Sequence, residues 1–96
     1  MKVYSVYILK CWDKTYYTGI TSNLWGRIEQ HQSGKYKNSY TSSKRPIELV
    51  YYCEFTEPEL AIEFEKRIKK WSQAKKEALI NGEFEKLPNL AKKRFK

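Results

Sequence analysis

Residues 2–20 read KVYSVYILKCWDKTYYTGI, and the reading of this stretch decides the fold. From Lys2 to Lys10 the chain alternates: Tyr4, Val6 and Ile8 fall on one side, and Val3, Ser5, Tyr7 and Leu9 on the other. Alternation with a period of two is the mark of a strand. Cys11-Trp12-Asp13-Lys14 reads as a turn. Thr15 to Ile20 is β-branched and aromatic, so it reads as a second strand, paired with the first as a hairpin.

Downstream of the hairpin, Thr21-Ser22-Asn23 offers three good helix N-cap residues in a row. A helix is expected next, with Leu24 and Ile28 on its inner face and Gly34 as its stop. Residues 35–46 (KYKNSYTSSKRP) carry no apolar period and read as a loop. Ile47 to Phe55 alternates again, which predicts a third strand with Ile47, Leu49, Tyr51, Cys53 and Phe55 on one face. Thr56-Glu57-Pro58-Glu59 reads as a capping box with proline in the first turn. Leu60, Ala61, Phe64, Ile68 and Trp71 follow at helical spacing and are expected in the core. A further helix is expected over about Ser72 to Ile80, ending at Asn81-Gly82. The tail from Glu83 reads as partly helical, interrupted near Pro88.

The order is therefore β-β-α-β-α-α. It predicts an α/β chain of the α+β kind, a small three-stranded antiparallel sheet flanked by helices. One domain is expected over residues 1–96, with its core at about 3–80 and a basic C-terminal tail at 83–96.

Composition narrows the function classes. Hydrophobic residues are 41% and charged residues 31%, which suits a globular chain and excludes a disordered one. Cys11 and Cys53 are too few and too far apart for a disulfide framework or a CxxC metal pair, so reduced thiols are expected. The first residues carry no signal-peptide pattern, and no run approaches the roughly 18 apolar residues of a membrane span. A soluble cytoplasmic protein without membrane partners is the expectation.

The net charge of +8 is unevenly spread. Residues 1–65 hold eight Lys and Arg against eight Asp and Glu, whereas residues 66–96 hold eleven against three. A basic surface of this kind attracts nucleic acid through counterion release. The candidate contacts are Lys35, Lys37, Lys44 and Arg45 in the loop, Lys69 on the second helix, and Lys92, Lys93 and Arg94 in the tail. A solvated helical surface would carry the same charges.

A few polar residues stand out within the elements. Tyr7 and Tyr17 are central in paired strands, which can bring both hydroxyls to one sheet face. Gly19 inside a strand suits a bulge or the close approach of another backbone. Arg27 and His31 are four apart and share a helix face; His31 is the one histidine in the sequence. Glu65 lies at the edge of the apolar stripe with Lys69 four residues on, placed for an ion pair or for a hard divalent cation. Phosphodiester cleavage needs a group to take up a proton, a positive group for the developing phosphorane charge, and a stabiliser for the leaving oxygen. These five residues could supply such parts.

Together they resemble the GIY-YIG nucleases, specifically their small stand-alone bacterial branch. Ser5-Val6-Tyr7 is similar to the first motif and Tyr17-Thr18-Gly19 to the second, with GITSNLWGRIEQH and AIEFEKRIKKW carrying Arg27, His31 and Glu65. Ser5 stands where the family name has Gly, and Thr18 where it has Ile. The resemblance implies cleavage of DNA, more than RNA, with one divalent metal ion, Mg²⁺ or Mn²⁺. It implies Glu65 as the metal ligand, Arg27 as the phosphate clamp, Tyr7 as the group that accepts a proton from the attacking water or orients it, and Tyr17 and His31 as its helpers. A phenol titrates near 10 in water, so a tyrosine acts as a base only where a cation lowers that value. Asn81 and Asn89 are candidates for an asparagine that many of these nucleases carry late in the domain. Target choice would then fall to a protein partner. The competing expectation is a nucleic-acid-binding or protein-interaction module without turnover, using the basic last third.

Overall fold

The computed structural model describes residues 2–33 and 43–83. Its elements are β1 (Tyr4–Cys11), β2 (Tyr16–Thr21), α1 (Leu24–Ser33), β3 (Ile47–Phe55), α2 (Pro58–Lys69) and α3 (Gln73–Ile80). The sheet order is β2-β1-β3, and both pairings are antiparallel. The expected α+β architecture is thus present, with β1 in the centre.

The central place of β1 explains its composition. Val6, Tyr7, Ile8 and Leu9 are all fully buried, because helices cover both faces of the sheet. Val6 and Ile8 pack with Ala61 and Ile68 of α2 and Leu79 of α3. Tyr7, Leu9 and Cys11 pack with Leu24 and Ile28 of α1. The two sides of the alternation in residues 2–10 are therefore two separate clusters on opposite faces.

β3 departs from its expected pattern. Ile47 and Leu49 join the α1 cluster, but Tyr51, Cys53 and Phe55 join the cluster under α2 and α3. Ile8 pairs with Tyr51 while Leu9 pairs with Leu49, so Val50 is an extra residue in the ladder. A bulge of this kind puts two residues opposite one and reverses the parity of everything beyond it.

The helix starts are partly as expected. Asn23 caps α1, accepting from the Gly26 amide at 3.3 Å. Ser72 caps α3, accepting from the Lys75 amide at 3.2 Å. The capping box expected at Thr56 is absent: Glu57 is the N-cap of α2, its side chain makes no capping bond, and Pro58 opens the helix. Proline needs no amide partner there, so the start is set by its fixed φ instead. Leu60 is 51% exposed, outside the core expected of it. It lies about 100° around α2 from Ala61, and the position beside Ala61 and Ile68 is taken by Glu65. α3 ends at Asn81, and Gly82 adopts φ +74°, the left-handed turn for which glycine is suited. The Glu83 amide then donates to the Ala78 carbonyl at 2.8 Å. α1 runs to Ser33; its expected stop, Gly34, lies outside the described residues, as does the tail beyond Glu83.

Candidate active site on the α1 face

Strand pairing builds the candidate site. Tyr7 faces Gly19 across the β1–β2 ladder, and Leu9 faces Tyr17. Directly paired residues share a sheet face, so the Tyr7 and Tyr17 rings stand side by side with centroids 6.4 Å apart. Glycine at 19 has a steric reason. A Cβ there would lie 2.5 Å from the Tyr7 hydroxyl oxygen and 2.6 Å from its ring carbon. What approaches Gly19 is therefore the phenol of Tyr7, not a second backbone, and the bulge of the sheet is in β3.

α1 closes this site from above. His31 follows Leu24 and Ile28 on the inner face of the helix and is 3% exposed. Its Nε2 lies 3.2 Å from the Tyr7 hydroxyl. Its ring centroid is 5.3 Å from that of Tyr17 and 6.1 Å from that of Tyr7. Burial, and then the guanidinium charge of Arg27 one turn earlier, push the imidazole below its ordinary value of 6.5. A neutral imidazole keeps one nitrogen as an acceptor, and with Nε2 in that role the Tyr7 hydroxyl donates to it. Four of the five sequence candidates are thus gathered by β1, β2 and α1.

Glu65 belongs to α2, on the other side of the sheet. It is 8% exposed, and its Oε2 takes the Lys69 ammonium at 3.1 Å. An open cleft of about 280 Å³ runs along the outer edge of β2, lined by Tyr16, Tyr17 and Thr18 from the strand, Lys69 from α2 and Lys76 from α3. Through this cleft the Tyr17 end of the α1 face meets Lys69, the ion-pair partner of Glu65.

The remaining candidates are placed as follows. Lys44 is paired with Asp13, which also accepts from the Thr15 hydroxyl at 2.6 Å. Together these bonds hold the Asp13 carboxyl down at about 2. Arg45 donates to the Gln32 carbonyl at 3.3 Å, at the end of α1. Both cations thus serve the fold as well as the surface. Asn81 is the C-cap of α3. Lys35, Lys37, Asn89, Lys92, Lys93 and Arg94 lie outside the described residues. Cys11 and Cys53 are both free thiols.

Among the described residues no three His, Cys, Asp or Glu side chains cluster as a metal cage. That is compatible with a hard cation such as Mg²⁺, which keeps several waters and takes one or two carboxylates plus substrate phosphate oxygens. Glu65 is a buried carboxylate already holding a cation, the Lys69 ammonium. The donor set present fits such an ion.

Two features were not visible in the sequence. Lys76 lines the cleft although no local pattern links it to Lys69 or Tyr17, because the three come from three different elements. Thr18 is buried and its hydroxyl lacks a hydrogen-bond partner. The departure from Ile at this position was the available signal.

Comparison with known proteins identifies the family. The GIY-YIG catalytic domain matches residues 3–78. A UPF0213 protein of Syntrophus aciditrophicus (strain SB) is 47% identical over 75 residues, which cover 78% of this chain and 86% of the relative. One from Natronomonas pharaonis is 41% identical over 78 residues, covering 81% and 91%. The solution structure of the UPF0213 protein BH0048 from Bacillus halodurans is 39% identical and superimposes with a TM-score of 0.54, covering 82% of this chain and 83% of that one. The chain belongs to the GIY-YIG catalytic-domain family.

Proposed function

We propose that this GIY-YIG chain is a metal-dependent endonuclease that hydrolyses DNA phosphodiester bonds, structure-selective or only weakly sequence-specific, acting in the cytoplasm in DNA repair or recombination. The reading is carried by one observation: a buried tyrosine hydroxyl on a neutral histidine, beside a second tyrosine and one helical turn from an arginine. A structural cluster of this size would more economically be aliphatic, as it is on the opposite face.

The chain's own groups divide the work of hydrolysis. The Tyr7 hydroxyl donates to His31, which leaves its oxygen lone pairs to orient an attacking water and draw on its proton. His31 takes up the proton that Tyr7 passes on. Arg27 meets the negative charge that grows on the non-bridging oxygens as phosphorus becomes pentacovalent, a contribution that is largest where water is excluded. Tyr17 fixes the imidazole ring from its other side. Glu65 would hold a divalent cation that supplies Lewis-acid polarisation of the phosphate and stabilises the leaving oxygen.

The test is a nicking assay with Mg²⁺ or Mn²⁺ over a panel of linear, flapped and branched DNA, with Glu65→Ala as the control. Cleavage of at least one substrate that disappears in the control is the expected result. Metal-independent binding with no cut on any substrate would instead favour a non-catalytic module built on the basic last third. Preference among the substrates, alone and with added cell extract, reads out whether a protein partner directs specificity.

A further inference from the structure

The cleft along the outer edge of β2 has the features of an anion site. Of its two cations, Lys69 is committed to Glu65 at 3.1 Å. Lys76 is half-buried, and among the described residues no carboxylate is paired with its ammonium. Burial and the nearby Lys69 charge both disfavour its charged form, and a bound anion would relieve both effects. Thr18 lines the same cleft and carries the one buried side-chain polar atom among the described residues that lacks a hydrogen-bond partner. A buried polar group without a partner costs roughly 1–3 kcal/mol, which makes an unfilled partner position worth explaining. Tyr16 and Tyr17 complete the lining, with the Tyr16 hydroxyl donating to the Glu77 carboxylate at 3.3 Å at its margin.

We propose that this cleft, with Lys76 as its cation, is a subsite for a phosphate of the nucleic-acid backbone next to the one that is cut. The proposal rests on the nucleic-acid-cleaving reading and extends it to a second contact. Lysine is a point charge that suits a phosphate oxygen without demanding the bidentate geometry of arginine. The backbone, rather than free phosphate, is the source the geometry favours. The cleft is open along a strand edge instead of enclosed, and it continues through Tyr17 toward Tyr7 and His31. A strand lying in it would run from Lys76 past Tyr17, whose ring stands beside His31.

Binding of a labelled duplex oligonucleotide, measured by fluorescence anisotropy over a salt series in EDTA, tests this without relying on cleavage. Lys76→Gln is expected to weaken binding about threefold to tenfold and to flatten the log–log salt slope by about 0.9, the value of one lost phosphate contact. Lys70→Gln, an exposed charge outside the cleft, is expected to do clearly less. Equal effects of the two variants would overturn the subsite and leave the nuclease reading standing. No binding by the wild type would overturn both. A titration that follows the Lys76 ammonium by NMR separates the sources: the oligonucleotide should shift it at far lower concentration than inorganic phosphate. If inorganic phosphate is as potent, the cleft is a free-phosphate site and the backbone proposal fails.

Discussion

The two faces of the sheet are built from the same strands and differ in kind. Under α2 and α3 the buried hydrophobic residues are aliphatic, Val6, Ile8, Ala61, Ile68 and Leu79, with Thr18 and Glu65 as the buried polar residues of that side. Under α1, Tyr7 and His31 are buried beside Leu9, Leu24 and Ile28, and their polar atoms meet each other. An aliphatic cluster gains stability from each methylene it hides, whereas a buried hydroxyl and imidazole gain little beyond satisfying their own hydrogen bond. The lesson is a difference of emphasis: the α2–α3 face is chiefly an aliphatic core that also carries Glu65, whereas the α1 face gathers Tyr7, Tyr17, Arg27 and His31. Substitutions should separate the two.

The largest effect is expected on the α1 face and in activity alone. Tyr7→Phe keeps the ring and removes the hydroxyl, so single-turnover nicking should fall on the order of 10²–10⁴-fold. The folded state should lose only about 1 kcal/mol in denaturant melts. Arg27→Ala is expected to behave alike, with a fall on the order of 10²–10³-fold. Ile68→Ala should reverse the pattern. A fully buried isoleucine truncated to alanine destabilises by about 2–5 kcal/mol, with nicking per folded molecule unchanged. Were Ile68→Ala to abolish nicking in molecules that remain folded, that difference would not exist.

Gly19→Ala sits between these extremes. The new methyl collides with the Tyr7 phenol, which is packed and cannot swing away cheaply. A loss of about 1–3 kcal/mol is expected, together with reduced nicking, since the same displacement breaks the Tyr7–His31 contact.

Smaller effects follow from protonation. His31 titrates below its ordinary 6.5 when folded, so as pH falls through 6.5 the unfolded chain takes a proton that the folded chain does not. Stability should therefore fall as pH falls through that value, and His31→Gln should flatten the dependence; thermal melts across the range measure it. The Asp13 carboxyl is depressed from its ordinary 3.8 to about 2, so its contribution is present above 3.8 and lost as pH falls through about 2. Asp13→Asn should remove that acid-range component, the smallest effect of the set, because the pair with Lys44 is partly exposed and screened by salt.

Much of this was legible in the sequence because it is local. Alternation along residues 2–10, the cap-forming run Thr21-Ser22-Asn23, and the proline at the start of α2 each report on neighbours a few residues away. Tyr7 and Tyr17 could be assigned to one face because a tight hairpin fixes parity between its strands. The β3 pattern failed at Val50, where an inserted residue changes parity without any change in composition. Leu60 failed because an apolar residue in a helix is not proof of an apolar neighbour. The cleft could not be read at all: Tyr17, Lys69 and Lys76 meet only once α2 and α3 have docked beside β2.

The central position of β1 also orders events in time. Its pairing with β2 closes a short hairpin, while its pairing with β3 joins residues some forty positions apart in sequence, with the whole of α1 between them. Contacts close in sequence form faster than distant ones. The seat of Tyr7 on Gly19 is therefore expected to exist early, in a hairpin still open to water. Glu65 is expected to arrive with the last docking step, a sequence that pulse-labelled amide exchange would reverse if α2 were protected first. A chain emerging in this order would hold most of its candidate chemistry in place before it held the residue assigned to the metal, and so would be folded in part before it could cut.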